Sequence, residues 1–243
     1  MYSIFKKEVN LFLSSLVGQI ALIVFFLATG LFIWVFPETN VLDYGFATLQ
    51  QLFVTGPWVF MFLIPAITMR SFSEELSTGT FELLATRPVR DIEIIFGKYL
   101  AALMLVLFSL IPTLIYFYTV YQLGSPPGNM DIGATWGSYI GLLLLGGVFV
   151  AIGLFASSIS SNQIIAFVLG VFLCFFLYMA FDYLSRLDLF IASIDNLIAS
   201  LGIYEHYQSI SRGVVDTRDL VYFLSVIALF LLLTKTSLES RKW

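Results

Sequence analysis

The chain has 243 residues, of which 59% are apolar, 17% aromatic and 12% charged, and its net charge at neutral pH is −4. Its mean hydropathy of +0.94 lies far above that of soluble globular domains. This composition predicts an integral membrane protein. The low content of basic residues argues against nucleic acid as a partner, because no positive field exists to gather phosphates.

The chain opens with a short amphipathic segment. Within residues 1–15, four apolar side chains share one helical face, while Lys6, Lys7 and Asn10 lie on the other. The apolar members are Ile4, Phe5, Leu11 and Phe12. This pattern predicts a helix that lies in the membrane interface.

Six apolar stretches follow. A helix that crosses a hydrocarbon layer of roughly 30 Å needs about 20 mostly apolar residues. The stretches that meet this length are 16–36, 52–69, 99–121, 136–156, 163–181 and 219–235. The predicted fold class is therefore an all-α integral membrane protein with six transmembrane helices, built as a single domain over residues 1–243.

Positive charge predicts the orientation, because lysine and arginine accumulate on the cytoplasmic side of membrane proteins. With an even number of spans both termini lie on one side. If that side is cytoplasmic, it holds nine of the twelve basic residues, and only Arg186, Arg212 and Arg218 lie outside. Tryptophan and tyrosine also cluster near the predicted outer ends of the spans. The sequence thus predicts cytoplasmic termini.

The predicted spans contain almost no ionisable residue. Of aspartate, glutamate, lysine, arginine and histidine, only Asp219 and Lys235 occur, both at the rims of the last span. Buried ionisable groups usually serve proton relays or ion coupling, so a transporter driven by protons or sodium is disfavoured. An intramembrane enzyme is disfavoured as well, because the spans supply neither a serine–histidine pair nor paired aspartates.

The connection 70–98 between spans two and three holds nine of the chain's 28 charged residues. Ser73 is expected to cap a helix that begins at Glu74, and Asp91 to cap the helix that enters span three. Between them, Gly79 permits a break and Pro88 ends a short helix. The segment predicts two short helices in a cytoplasmic hairpin. It is either a docking surface for a soluble partner or a solvated loop.

Two further patterns leave alternatives open. Gly137 and Gly141 form a small-residue face in span four, which suits either packing within the chain or a subunit interface. Pro57, Pro65 and Pro112 are expected in or near spans two and three, as hinges or as plain packing positions.

The outer connection 182–218 is too long for a turn. Its His206, the sole histidine, fits a hydrogen-bonded structural group better than a catalytic one.

Several motifs together resemble a known family. The hairpin contains Glu75, Thr78-Gly79-Thr80, Glu82-Leu83-Leu84, Thr86, Pro88-Val89 and Gly97-Lys98. This run is similar to the signature of ABC-2 type transporter permeases. Other segments resemble GldF, the family of gliding-motility-associated permease subunits of Bacteroidetes. They are 65–72, 128–131, 156–158 with 162–163, and 211–213.

The resemblance implies a type V exporter-like permease of the bacterial inner membrane that works in export or extrusion. It would pair with a second permease copy or a GldG-like subunit, with membrane lipid around it and two copies of a cytosolic ABC ATPase below. The chain has no phosphate-binding loop, so it is not expected to be an enzyme or to hold a cofactor; ATP and magnesium would be bound by the partner.

The resemblance also implies two sets of functional residues. Coupling to the ATPase would fall to Glu74, Glu75, Thr78, Gly79, Thr80, Glu82, Leu83, Leu84 and Pro88. The region 182–218 would contain short re-entrant helices, with His206, Arg212 and Gly213 at an external gate or a contact with an accessory subunit. The alternative function is a membrane anchor or scaffold for a motility or secretion apparatus that moves no cargo.

Overall fold

The computed structural model describes residues 2–43, 45–80, 90–186 and 199–240, and within these ranges all regular structure is helical. The helices are α1 (Tyr2–Ser14), α2 (Leu16–Trp34), α3 (Gln50–Thr68), α4 (Arg70–Ser77), α5 (Asp91–Leu110), α6 (Leu114–Leu123), α7 (Ile132–Ile159), α8 (Gln163–Ser185), α9 (Ile203–Ser211) and α10 (Thr217–Glu239). Six helical stretches are long and apolar enough to cross a membrane. The predicted all-helical fold class is confirmed.

The two ends of the bundle differ in what they carry. At one end lie α1, α4 and the start of α5; we call it the hairpin side. At the other, which we call the loop side, α9 lies among the starts of α3, α7 and α10 and the end of α8. Each end contains one polar cluster, described below.

Helix α7 forms the centre of the bundle and contacts α3, α4, α5, α8, α9 and α10. Asp131 caps its first turn by accepting a hydrogen bond from the amide of Ala134 at 2.9 Å. Its glycines bring neighbours close. A methyl group at Gly141 would lie 2.5 Å from Ile210, and one at Gly137 would lie 2.7 Å from the carbonyl of Gly213. The small-residue face therefore packs within the chain.

The prolines of spans two and three have different effects. Pro57 and Pro65 lie inside α3, which continues to Thr68. Pro112 interrupts the third span, where a 3₁₀ turn over Ile111–Thr113 separates α5 from α6. Proline lacks the amide hydrogen that a continuous α-helix needs, which accounts for the interruption.

The predicted starts of the hairpin helices need correction. Helix α4 begins at Arg70 instead of Glu74, so Ser73 lies inside it and donates its hydroxyl to the carbonyl of Met69 rather than capping. Asp91 is the first residue of α5, after Arg90 in the capping position. The hydroxyl of Ser157 from α7 replaces Ser73 as the partner of the first α4 amides.

Candidate functional site

The hairpin helix α4 is fixed to the centre of the bundle by one serine. The hydroxyl of Ser157 accepts hydrogen bonds from the amides of Phe72, at 2.9 Å, and Ser73, at 3.1 Å, and donates to the carbonyl of Met69 at 2.9 Å. These three bonds use the full capacity of a hydroxyl group. They hold the junction of α3 and α4 against α7, because all of the participating residues except Met69 are buried.

Beside this junction lies an ionic cluster in which the buried Lys98 meets two half-buried carboxylates, Glu8 and Glu75. The ammonium group of Lys98, which is only 3% exposed, donates to Glu8 at 2.8 Å, to Glu75 at 2.9 Å and to the carbonyl of Ser71 at 2.7 Å. It also lies 5.2 Å from the centre of the Phe72 ring. The cluster therefore joins α1, α4 and α5.

Removing a charge from water is costly unless the charge is paired and hydrogen-bonded. Lys98 meets that condition, since its three hydrogens all have acceptors. One carboxylate oxygen of the cluster does not meet that condition. Glu75 Oε2 is buried and has no hydrogen-bond partner among the described residues.

The structure places five of the predicted coupling residues on α4 and just after it. Glu74 pairs with Arg70 at 3.0 Å, and Glu75 belongs to the ionic cluster. Thr78, Gly79 and Thr80 are exposed and follow the helix; Gly79 has a φ of +68°, a left-handed conformation that favours glycine. The other four predicted residues lie outside the described residues. They are Glu82, Leu83, Leu84 and Pro88.

A cavity of about 310 Å³ opens between α1, α4 and α5 on the hairpin side. We call it the hairpin cavity. Glu8, Glu75 and Lys98 all line it, so the ionic cluster forms part of its wall.

On the loop side, His206 links α9 to the last span. Its Nδ1 lies 2.7 Å from Asp219 Oδ1, its Nε2 lies 2.8 Å from the carbonyl oxygen of Ser200, and its ring stacks on Tyr222 at 3.9 Å between centres. Both ring nitrogens thus face acceptors. Only a protonated imidazole donates to both. The interpretation of His206 as a hydrogen-bonded group agrees with these contacts.

Helix α9 is held from two other directions. The hydroxyl of Tyr207 donates to the carbonyl of Phe53 in α3 at 2.6 Å, and Ser138 of α7 donates to the carbonyl of Ser211 at 2.8 Å. Gly213, with a φ of +89°, ends the segment against Ala134. Helix α9 therefore packs into the bundle between its spans.

The side chain of Arg212 is exposed and lines a loop-side cavity of about 520 Å³. Nearby, Asp216 caps α10 by accepting from the amide of Arg218, and this hydrogen bond lowers the pKa of Asp216. Of the three residues predicted at the gate, His206 and Gly213 make structural contacts and Arg212 faces the cavity.

Sequence reasoning missed three members of these clusters. Lys98 was expected at the rim of span three and is buried instead, and Asp219, also expected at a rim, is buried against His206. Glu8 was not singled out. A signal existed for Glu8, because it follows Ile4 by four residues and precedes Phe12 by four, which places a carboxylate on the apolar face of α1.

Among the described residues no group of three or more histidine, cysteine, aspartate or glutamate side chains could hold a metal ion. The arrangement ties an exposed turn at 78–80 to three different helices through buried polar contacts.

A comparison with models of protein families identifies the family of the chain. A family model described as ABC-2 family transporter protein matches residues 37–234, most of the chain from the end of α2 to the last turns of α10. A search of curated proteins gave no match. With six helices able to cross a membrane and a match over this range, the chain belongs to the ABC-2 transporter family as a multi-pass, non-catalytic membrane component.

Proposed function

We propose that the chain is the permease subunit of an exporter in the bacterial inner membrane, driven by a separate cytosolic ATPase, and that the hairpin 70–98 receives the mechanical work. Membership of the ABC-2 family implies a cytosolic ATPase partner in general. The termini and the hairpin would then face the cytoplasm.

One observation carries the proposal. The exposed turn at 78–80 follows α4 directly, and α4 is bonded to α7 through Ser157 and to α1 and α5 through Lys98. A force applied at the turn would therefore reach three helices through short contacts that are buried or half-buried. Networks of this kind transmit rigid-body motions better than flexible loops do.

The orientation is tested by labelling single cysteines in sealed cells with a membrane-impermeant thiol reagent. Cys174 is buried and is first replaced by alanine. Thr80→Cys should react only after the membrane is opened, whereas Glu38→Cys, an exposed position on the loop side, should react at once. Labelling of Thr80→Cys from outside would refute the proposal, because no ATPase works there.

Coupling is tested with the chain and its ATPase, expressed together from the native operon and reconstituted. Lys98→Met removes the buried cation between Glu8 and Glu75 and leaves only the exposed Lys7 beside Glu75, so it should reduce stimulation of ATP hydrolysis by roughly tenfold or more, the effect of about 1.4 kcal/mol. Lys235→Met is the matched control, since Lys235 forms an exposed pair with Glu239 on the same side. Lys98→Arg should retain most of the stimulation.

Monodisperse elution of each variant establishes that it is folded. Stimulation of a folded Lys98→Met protein at the level of the native chain would show that the cluster does not transmit work.

A finer proposal is that the exporter serves gliding motility, with two ATPase copies and either a second copy of this chain or a GldG-like subunit. The support is the set of motifs that resemble the GldF family. Purification in mild detergent with the native operon, followed by identification of all chains, tests it. Recovery of the chain with an ATPase alone would favour a homodimeric permease.

A further inference from the structure

The hairpin cavity has two chemically different ends. Its polar end carries Lys7, Arg70 and Glu75, and its apolar end is lined by Leu11, Phe12 and Leu105. Its volume of about 310 Å³ lies in the range of small-molecule sites. Helix α1 forms one wall, and α1 lies on the hairpin side next to the start of the first span. A cavity with this polarity fits an amphiphile.

The polar end lacks a hydrogen-bond donor for one carboxylate oxygen among the described residues. Lys98 is fully used by its three acceptors, so none of its hydrogens remains for the second oxygen of Glu75. Lys7 lies 3.9 Å from Glu75 Oε1, and its side chain is 57% exposed. Glu75 Oε2 has no hydrogen-bond partner among the described residues, although the Glu75 side chain is only 12% exposed.

An unsatisfied buried carboxylate oxygen is unfavourable, and a donor that carries positive charge offsets the deficit best. The donor must be small enough to enter beside Lys98, and it needs hydrogens on nitrogen. A primary ammonium group meets both conditions. A quaternary ammonium group meets neither, because it is bulkier and has no N–H to donate.

The rim supplies a place for an anion. Lys7 and Arg70 have partly exposed side chains at the opening, with 57% and 40% of their surfaces accessible. Arg70 donates two hydrogen bonds to Glu74, whereas Lys7 lies 3.9 Å from Glu75, beyond hydrogen-bond distance, so Lys7 is the freer donor. A phosphate group attached to a primary amine would meet Lys7 while its ammonium reached Glu75.

We propose that the hairpin cavity binds a phospholipid whose head group ends in a primary ammonium, of the phosphatidylethanolamine class. The ammonium donates to Glu75, the phosphate contacts Lys7, and the start of an acyl chain lies against Leu11, Phe12 and Leu105. The lipid thereby contacts α1, α4 and α5 together and supplies the hydrogen-bond donor that Glu75 Oε2 lacks among the described residues.

The site gives the membrane a role in the stability of the hairpin. With the lipid bound, Glu75 has a partner for each oxygen, and α4 is held more firmly to α1. In a membrane without primary-amine lipids the cluster keeps its unpaired oxygen. This effect depends only on the contacts within the hairpin cavity. It does not depend on which side of the membrane the hairpin faces.

Binding is tested with the purified full-length chain in detergent micelles, by native mass spectrometry and by the midpoint of thermal unfolding. Phosphatidylethanolamine and phosphatidylcholine with identical acyl chains are compared. One charge-assisted hydrogen bond predicts roughly tenfold tighter binding of the ethanolamine lipid. Equal affinities would overturn the proposal. Glycerophosphoethanolamine, which has no acyl chains, should not bind at the same concentrations; binding as tight as that of the lipid would overturn a lipid as the occupant.

Two variants locate the site. Glu75→Gln should remove the preference for the ethanolamine lipid and leave the affinity for the choline lipid unchanged. Lys7→Gln, at an exposed position, should weaken binding of both lipids roughly two- to fivefold, as expected for a partly exposed charge pair. Lys6→Gln is its matched control, because Lys6 is exposed and does not line the cavity. Equal effects of Lys7→Gln and Lys6→Gln would place the lipid elsewhere.

Discussion

Replacement of Ser157 by alanine tests how the hairpin helix is held to the centre of the bundle. The change removes one acceptor shared by the amides of Phe72 and Ser73, and one donor to Met69. Met69 keeps a second donor in Ser73, so the main loss is the two amide bonds. A buried donor left unsatisfied costs about 1–3 kcal/mol, so Ser157→Ala should lower the free energy of unfolding by about 2–4 kcal/mol.

Ser158→Ala is the matched control. Ser158 is buried to the same extent, but its hydroxyl donates only to the carbonyl of Phe155, one helical turn earlier, at 2.8 Å. Its loss should cost about 1 kcal/mol or less. Reversible denaturant unfolding in mixed micelles measures both. Equal destabilisation by the two variants, within about 0.5 kcal/mol, would show that the bonds from Ser157 to α4 contribute nothing beyond a local helix contact.

Three further predictions concern the loop side. Gly141→Ala places a methyl group against Ile210 and should destabilise the protein by about 1–3 kcal/mol in the same unfolding assay, whereas Gly133→Ala, whose methyl group would make only an ordinary contact with Asp131 at 3.5 Å, should be near neutral. His206→Phe keeps an aromatic ring beside Tyr222 but removes the contacts with Asp219 and with the carbonyl of Ser200, so it should reduce the proteolytic protection of 199–211; protection equal to that of the native chain would show that the two contacts do not hold α9. Because the pKa of Asp216 is lowered in the fold, its stabilising effect relative to Asp216→Asn should be present at neutral pH, begin to fall below about pH 4 and be lost as pH falls through the folded pKa; unfolding midpoints measured from pH 7 down to about pH 2 check this.

The helical architecture was predictable because the signal is strong and local. A run of about twenty apolar residues in a membrane protein has few alternatives to a transmembrane helix. Such a helix can be recognised from the run itself, without knowing which helices pack beside it. Boundaries were less accurate. Helix α7 extends from Ile132 to Ile159, beyond the predicted 136–156. It begins earlier because Asp131 caps its first turn, and it ends later because the polar residues after position 156 are still helical.

The polar clusters were not predictable in the same way. Lys98, Glu8 and Glu75 are separated by up to 90 positions along the chain, and only packing brings them together. The same holds for His206 and Asp219. A charged residue at the end of an apolar stretch can face water or a partner, and the stretch itself does not distinguish the two. Ser73 was predicted from its residue type to cap a helix. In the structure, Ser157 from another helix accepts the hydrogen bonds of the α4 amides instead.

The anchoring of α9 determines which parts of the bundle can change position. Tyr207 bonds to the backbone of α3, and Ile210 fills the space above Gly141 in α7. Helices α3, α7 and α9 therefore behave as one unit, and sliding among them would break buried bonds. The first span, α2, has most of its surface turned outward and contacts chiefly α1 and α3. During a working cycle the peripheral helices should consequently move relative to this unit, while the unit keeps its internal arrangement.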